Sequence, residues 1–459
     1  MYSLVLLGCL ILTWMRLRRG GSGPFVPTFR NWGLRGVAAA GVALAALFAA
    51  RLALVYLADL DPRGPAWLRH LPIVAIRDQH DYWYDPHRQV LAAAVGLTAV
   101  GSGVALYVLY GSLQSRRRRG AAYAVVTLVA LLMSFAAVTA PGVGTTDPYL
   151  YAAYGELGLG AYSAVPLHVP CAASTVQRWC SGPKLPALYG PLYLAYVHAL
   201  LHGGGPILLR IQLLRLSNLC WFALLLVLLR TLQLPGPVIA LVAVNPVVYA
   251  QYISDAHNDV IAVSATLAAI AAAPRWPFAG FLGGVAAALV KLPFALLAAV
   301  IFLRLPLKRR LSWTVATAAS GIALTLVWGG LPYLASVAYY RTYYPFFSNV
   351  PQCCVDVIAL GLLLVALLRR RISLAGAYAI PALGAGPTYP WYAFWSLPYI
   401  VWEPATFALY LIALPVTAFL TETPFQMPLL WVAIPLALLG LAIRELVRPT
   451  PEPSPSVVG

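Results

Sequence analysis

An aspartate beside a long apolar run is the first residue whose type and position suggest chemistry. Asp147 lies in residues 145–155, TTDPYLYAAYG, of a 459-residue chain that has 14 Asp and Glu residues. The apolar run over residues 121–140 precedes it, and that run follows a basic cluster at residues 116–119. Because basic clusters mark the cytoplasmic side of a membrane segment, we expect Asp147 at the outer surface. A carboxylate there could act as a general base on an acceptor hydroxyl.

Two alternatives to a catalytic Asp147 stay open on spacing alone. Aspartate is a favoured helix N-cap and Pro148 suits the first helical position, so Asp147 could cap a helix, and a cap would also fix its carboxylate in place. The first predicted outer loop contains Asp78, Asp81 and Asp85, without obvious metal-ligand spacing. Asp81 is therefore the rival candidate for the base.

A second polar group interrupts the apolar runs at residues 254–259, with sequence SDAHND. Side chains such as His257, Asn258 and Asp259 are costly at a membrane boundary unless they face water, a partner or a ligand. A capped turn at the interface is the structural alternative. The concentration of ionisable groups favours a functional cavity that these residues line.

Two cations with apolar or aromatic neighbours could meet a phosphate group. Lys291 lies in the sequence ALVKLPF, and Arg341 lies in YYRTYYP within a predicted outer loop over residues 331–352. Ammonium and guanidinium groups form strong charge-assisted hydrogen bonds with phosphate. The structural alternatives are a lysine that extends to the interface and an arginine within an aromatic belt.

Aromatic side chains accompany each of these polar segments. Aromatic planes suit stacking against sugar rings, and they are equally typical of proteins anchored at the membrane interface. The candidates for substrate contact are Tyr149, Tyr151, Tyr189, Tyr389, Trp391 and Tyr392.

The composition requires a membrane protein. The chain is 61% hydrophobic and 10% charged, with a mean hydropathy of +0.79, which leaves too little polar surface for a soluble domain. Its net charge of +17 comes from short basic clusters between apolar runs, which is the positive-inside pattern and predicts no nucleic-acid partner. The sequence therefore predicts an all-α, polytopic helical membrane protein.

The apolar runs predict about 11–13 membrane segments, some of them short and re-entrant. Residues 237–253 either cross the membrane fully or form a re-entrant segment that breaks at Asn245-Pro246. The re-entrant alternative places Arg275 inside and places residues 255–259 and Lys291 toward the outer face. The positive-inside rule favours it.

The chain is predicted to form one transmembrane domain over residues 36–448. Residues 1–35 read as an apolar segment, which could be a signal anchor, and a basic linker. Residues 449–459 are rich in Pro and Ser and are predicted to be disordered. Cys171 and Cys180 share the second predicted outer loop, where a disulfide could close it.

Three segments, taken in order, resemble one known group of proteins. They are Asp147-Pro-Tyr-Leu-Tyr with Leu188-Tyr-Gly-Pro-Leu, then His257-Asn-Asp259, and then Tyr389-Pro-Trp-Tyr with Trp395. The set resembles the actinobacterial mannosyltransferases that depend on polyprenol-phosphate-mannose, which are members of the GT-C membrane glycosyltransferases. The segment Lys291-Leu-Pro is similar to a lysine-containing segment of that group.

The resemblance implies a GT-C-like fold in the plasma membrane with the active site facing outside. It implies a polyprenyl-phosphate sugar donor, usually carrying mannose, and inverting transfer to a hydroxyl of a glycan or glycolipid. Asp147 would be the general base, and Lys291 and Arg341 are our candidates to meet the donor phosphate. Some relatives have a paired acidic motif where this chain has Tyr149, so no metal cofactor is expected.

Two points of the resemblance leave alternatives. Many relatives place the base in the first outer loop, which keeps Asp81 as a rival. A transporter or flippase of lipid-linked sugars is the alternative function. Transporters are expected to show inverted repeats and charges near the membrane midplane, whereas the polar groups here gather at the outer boundary.

Overall fold

The computed structural model describes residues 32–59, 86–114, 119–140, 147–163, 186–343, 390–402 and 404–420. In chain order the α-helices are α1 (Gly33–Asp59), α2 (Pro86–Leu113), α3 (Arg119–Thr139), α4 (Asp147–Leu157), α5 (Pro191–Leu201), α6 (Ile207–Thr231), α7 (Gly236–Ala243), α8 (Asp259–Ala272), α9 (Pro277–Val290), α10 (Ala298–Ile301), α11 (Leu307–Tyr343) and α12 (Pro404–Leu420). Shorter 3-10 helices cover Gly158–Tyr162, Leu292–Leu297 and Pro390–Val401, and a π-helix covers Val248–Ser254. These residues contain no β-strand, so the all-α prediction is confirmed.

Four of the described helices are long and apolar enough to cross a membrane, and they lie within α1, α3, α6 and α11. In α3 the buried side chains recur every three or four positions and pack against the protein, and they are Ala122, Val126, Val129, Met133 and Ala137. The opposite face exposes large apolar side chains, namely Leu128, Leu131, Leu132 and Phe135. A helix with apolar side chains on its exposed face suits a lipid environment, which confirms the polytopic membrane fold.

The polypeptide bends sharply between α7 and the π-helix. Together the two helices are long and apolar enough to form one membrane span, but their axes differ in direction by 56° at the break. Pro246 has no amide hydrogen, so it cannot donate a helical hydrogen bond. The side chain of Asn245 makes two bonds at this break. Its Oδ1 accepts from the amide of Val247 at 3.1 Å, and its Nδ2 donates to the carbonyl of Leu411 at 3.0 Å. The predicted break at Asn245-Pro246 is confirmed, while a re-entrant path for this segment stays a prediction.

The predicted loop over residues 331–352 is wrong for its first part, because α11 continues to Tyr343. The helix is interrupted at Gly330, which has φ 62 and ψ −163. Pro332 follows two positions later, and proline suits the first turn of a new helical stretch because its missing amide hydrogen is not needed there. Pro332 therefore lies in the first turn of the second half of a kinked helix.

Close packing brings the short central helices together. α4 packs on α5 and α6, and α8 packs on α6, α9 and the 3-10 helix Pro390–Val401. The amide of Gly190 donates to the carbonyl of Val290 at 2.9 Å, and a Cβ at position 190 would lie 2.0 Å from the carbonyl oxygen of Leu289. Glycine at this position thus allows the chain around Tyr189 to lie directly against the end of α9.

Candidate functional site

Asp147 lies in the first turn of α4, where the helix dipole favours a negative charge. Tyr151 follows one turn later on the same face and donates its hydroxyl to Asp147 Oδ2 at 3.0 Å. The hydroxyl of Tyr189 donates to the same oxygen at 3.4 Å. An N-cap carboxylate accepts only from backbone amides of its own helix, whereas Asp147 accepts from two tyrosine side chains. The Asp147 side chain is 23% exposed, so part of the carboxylate remains open to a ligand.

His257 completes the group of side chains around this carboxylate. Its Nδ1 lies 3.2 Å from Asp147 Oδ2 and 3.4 Å from the hydroxyl of Tyr151. The imidazole is fully buried, and its position is set by the turn between the π-helix and α8. A proton on Nδ1 would be donated to the carboxylate.

The surroundings of Asp147 keep it ionised at neutral pH. Burial raises the pKa of its carboxyl group, but the hydrogen bond and charge of His257, the bond from Tyr151 and the charge of Lys291 together hold that pKa below its usual value. Burial, and then the charge of Asp147, raise the pKa of Tyr151 well above its usual range, so this hydroxyl stays a hydrogen-bond donor. The carboxylate is therefore an acceptor that tyrosine hydroxyls and the imidazole of His257 surround.

A buried ion pair lies on the other side of Tyr189. Lys291 Nζ donates to Asp259 Oδ1 at 2.7 Å, and the indole of Trp395 donates to the same oxygen at 2.5 Å. The ammonium lies 4.8 Å from the ring centroid of Trp395 and 5.6 Å from that of Tyr189, distances typical of cation–π contacts. The predicted cation at position 291 thus has a carboxylate partner, which the sequence did not indicate.

Tyr189 joins the two charged groups into one cluster. Its hydroxyl contacts Asp147 and lies 3.1 Å from the hydroxyl of Tyr151, while its ring faces Lys291. The backbone carbonyl of Tyr189 accepts a bond from Tyr162 at 2.8 Å, which fixes the segment before α5. We call the resulting group the polar cluster, and its members are Asp147, Tyr151, Tyr189, His257, Asp259, Lys291 and Trp395.

Asn258 lies between two members of the polar cluster and is fully buried. Within the described part of the chain, neither the oxygen nor the nitrogen of its amide has a hydrogen-bond partner. A buried amide without partners costs about 1–3 kcal/mol, and a ligand with hydroxyl groups would recover that cost. The predicted role of Asn258 in lining a substrate cavity stays a prediction.

The other predicted site residues divide into three groups. Tyr149 is buried on α4. Arg341 lies near the end of α11, and Trp391 and Tyr392 lie in the 3-10 helix Pro390–Val401, but their side chains are outside the described structure. The remaining predicted residues lie outside the described ranges altogether, namely Asp81, Cys171, Cys180 and Tyr389. The predicted roles of all these residues stay predictions.

Two residues that the sequence analysis missed lie beside the polar cluster on α6. Arg215 and Asn218 are buried and donate to backbone carbonyls near His257. The signal that could have found them is an arginine and an asparagine within a run long enough to span the membrane, because such residues rarely face lipid.

The described residues contain no group of three or more His, Cys, Asp or Glu side chains that could hold a metal ion. The polar cluster offers one partly exposed carboxylate, held by tyrosine hydroxyls and an imidazole, next to a buried ammonium. These groups can accept a proton on one side and meet an anion on the other. The predicted independence from metal stays a prediction.

The fold and the polar cluster define a helical, polytopic membrane protein with a polar centre built from short helices between the long ones. Residues 63–306 match the family model described as alpha-(1->6)-mannopyranosyltransferase, N-terminal domain, of the MptA_B family. The match covers more than half of the chain, and the chain belongs to this family. It is a mannosyltransferase of the GT-C type, as the resemblance implied. No curated protein and no solved structure gives a significant match.

Proposed function

We propose that this mannosyltransferase takes mannose from a polyprenyl-phosphate donor and transfers it, with inversion, to a hydroxyl of a glycan or glycolipid. The active site is the polar cluster, facing the outer side of the plasma membrane, with Asp147 as the general base. The observation that carries this proposal is the arrangement of a carboxylate at the hydroxyl of Tyr189 and an ammonium over its ring. The family description supports an α-1→6 linkage.

The proposed base works through its partly exposed oxygen atoms. The acceptor hydroxyl donates to Asp147, and its oxygen attacks the anomeric carbon of the donor as its proton moves to the carboxylate. A lowered pKa makes Asp147 a weak base, so proton transfer is completed only as the new C–O bond forms and the hydroxyl becomes strongly acidic. His257 and Tyr151 hold the carboxylate in the correct position throughout.

The leaving group needs a positive charge opposite the base. The bond between the anomeric carbon and the phosphate oxygen breaks, and polyprenyl phosphate departs as an anion, which the ammonium of Lys291 stabilises. An ammonium has three donors, so it can keep its bond to Asp259 and still donate to phosphate. Asp259 and Trp395 would thus position Lys291, and Arg341 is proposed as a second cation for the phosphate.

The substrate-binding surface is proposed to combine amide and aromatic groups. Asn258 is proposed to bond sugar hydroxyls once the donor or acceptor is bound, because its buried amide lacks a hydrogen-bond partner among the described residues. Aromatic side chains would stack on the sugar rings, and the candidates are Tyr149, Tyr189, Tyr389, Trp391 and Tyr392. The proposed reaction uses no metal ion.

The donor class is tested with purified protein in proteoliposomes. We expect transfer of radiolabelled mannose from polyprenyl-phosphate-mannose to a short α-1,6-linked oligomannoside, and no transfer from GDP-mannose. Activity that persists with EDTA is expected as well. Transfer from GDP-mannose alone would contradict the lipid-linked donor, and movement of the intact lipid-linked sugar across the bilayer without transfer would favour the flippase alternative.

The side of the membrane is tested with the same components in right-side-out vesicles. The oligomannoside is soluble and does not cross the bilayer, so it reaches the active site only from the outer face. We expect labelled product without permeabilisation. Product that forms only after the vesicles are opened would place the active site inside.

A further inference from the structure

Two polar side chains of α6 lie inside a candidate membrane span and face the protein. Arg215 and Asn218 are three positions apart, so they project from the same face of the helix, and each is 3% exposed. Ionisable and amide groups inside a membrane segment are costly unless they meet polar partners. Their partners are backbone carbonyls at the end of α3 and in the segment from Tyr252 to His257.

Arg215 connects the ends of two helices. Its Nε donates to the carbonyl of Ser254 at 2.8 Å, at the end of the π-helix. Its Nη1 donates to the carbonyl of Val138 at 3.3 Å and also to that of Ala140, at the end of α3. A guanidinium suits both ends because the last carbonyls of a helix lack intrahelical partners and carry partial negative charge. The chain reaches Asp147 shortly after α3 and reaches His257 shortly after the π-helix.

Asn218 holds the turn that carries His257. Its Nδ2 donates to the carbonyl of Tyr252 at 2.7 Å and to that of His257 at 2.9 Å. Within this turn Ala256 adopts φ 52, a left-handed conformation that costs a non-glycine residue free energy. Such a turn persists only where the surroundings fix it, and the two bonds from Asn218 span it.

We propose that Arg215 and Asn218 are positioning residues that fix the 3.2 Å separation between Asp147 and His257. Arg215 holds the ends of α3 and of the π-helix, and Asn218 holds the backbone of His257 itself. The consequence for catalysis rests on the proposed role of Asp147 as the base. Misplacement of a reacting group by about 1 Å can lower a rate by roughly a hundredfold, so a small relaxation of this turn would be visible in kcat.

A double-mutant cycle tests the proposal. In the transfer assay with polyprenyl-phosphate-mannose, Asn218→Leu is expected to lower kcat by roughly ten- to a hundredfold, with the donor KM nearly unchanged. If Asn218 acts through His257, adding Asn218→Leu to His257→Gln should lower kcat only about twofold further. Losses that multiply in the double variant would overturn the proposal. Should Asn218→Leu fail to fold, Asn218→Ser, which keeps one donor, replaces it in the same cycle.

A matched control removes a different hydrogen bond to α6. Ser264 donates its hydroxyl to the carbonyl of Trp221 at 3.1 Å, so Ser264→Ala also weakens the contact between α8 and α6. We expect its kcat to match the parent. An equal loss of kcat in Ser264→Ala would show that general loosening of α6 explains the effect and would contradict the proposal.

A cross-linking measurement separates the positioning role from the proposed reaction, because it needs no activity. In the Asp147→Cys/His257→Cys variant, a mild oxidant should join the two cysteine thiols rapidly as a disulfide, with each single-cysteine variant as background. Adding Asn218→Leu or Arg215→Gln is expected to slow the cross-link several-fold. An unchanged rate in both would overturn the positioning role whether or not Asp147 proves to be the base.

Discussion

Two aspartates of the polar cluster have different surroundings, and the difference supports the separate roles proposed for them. The side chain of Asp259 is fully buried and bonded to Lys291 and Trp395, so it cannot take up a substrate proton without breaking an ion pair. Asp147 is partly exposed, and its described contacts are the hydroxyls of tyrosines and the imidazole of His257. The exposed carboxylate suits proton transfer, and the buried one suits holding the lysine.

The pH dependence of transfer should respond to Tyr151. The pKa of Asp147 is lowered in the folded protein, so the stability from its ionised form is present above the usual aspartate pKa of ~3.9 and is lost as pH falls through the folded pKa. Tyr151→Phe removes one stabilising bond. We expect the acid limb of kcat/KM to move to higher pH, and pH profiles of both proteins measure the shift.

The control for this variant is Tyr249→Phe, which removes a bond to the carbonyl of Ala243 at 2.6 Å, away from Asp147. Its acid limb should coincide with that of the parent. An unchanged profile in Tyr151→Phe would show that Asp147 does not govern the acid limb.

The ion pair between Lys291 and Asp259 should have separable effects on stability and on transfer. Lys291→Met leaves a buried carboxylate without its counter-ion, at a cost of about 3–5 kcal/mol. Lys291→Met/Asp259→Asn removes both charges and keeps an acceptor for the indole of Trp395. Thermal unfolding in detergent should show recovered stability in the double variant, while transfer stays low. Recovery of transfer as well would mean that Lys291 is structural only.

At the scale of elements, interruptions in helices place the polar groups. The break at Asn245-Pro246 leads into the π-helix before His257, and the chain leaves α9 at Lys291 with φ −153, before a 3-10 helix. Irregular backbone is tolerated at membrane depth only where protein or water surrounds it. Both breaks are buried within the protein, and they lead to His257 and Lys291 of the polar cluster.

The close contact at Gly190 can be tested directly. Gly190→Ala would place a methyl group 2.0 Å from the carbonyl oxygen of Leu289, so the backbone must move and Tyr189 must shift relative to Lys291. We expect a loss of about 1–3 kcal/mol in stability, measured by thermal unfolding, and a clear fall in kcat. Gly160→Ala is the control, since open space surrounds that position. Equal behaviour of the two variants would contradict this packing argument.

At the scale of the whole molecule, composition and basic clusters were sufficient to predict an all-α membrane protein, because both reflect the solvent around the chain. The segments of the polar cluster were also found individually, since ionisable groups between apolar runs are rare. Their pairing could not be predicted, because Lys291 meets Asp259 only through the packing of α8 on α9. Arg215 was missed because its helix reads as a simple apolar span.

The most direct test of the central claim is the rate of mannose transfer from polyprenyl-phosphate-mannose by Asp147→Asn. A general base typically contributes about 10²–10⁴-fold, so we expect kcat to fall by at least about a hundredfold while the folded protein and its donor KM are retained. Glu156→Gln removes another carboxylate of α4, one that pairs with Arg210, and should leave kcat close to that of the parent. Full activity in Asp147→Asn, together with inactivity in Asp81→Asn, would contradict the account and assign the base to Asp81.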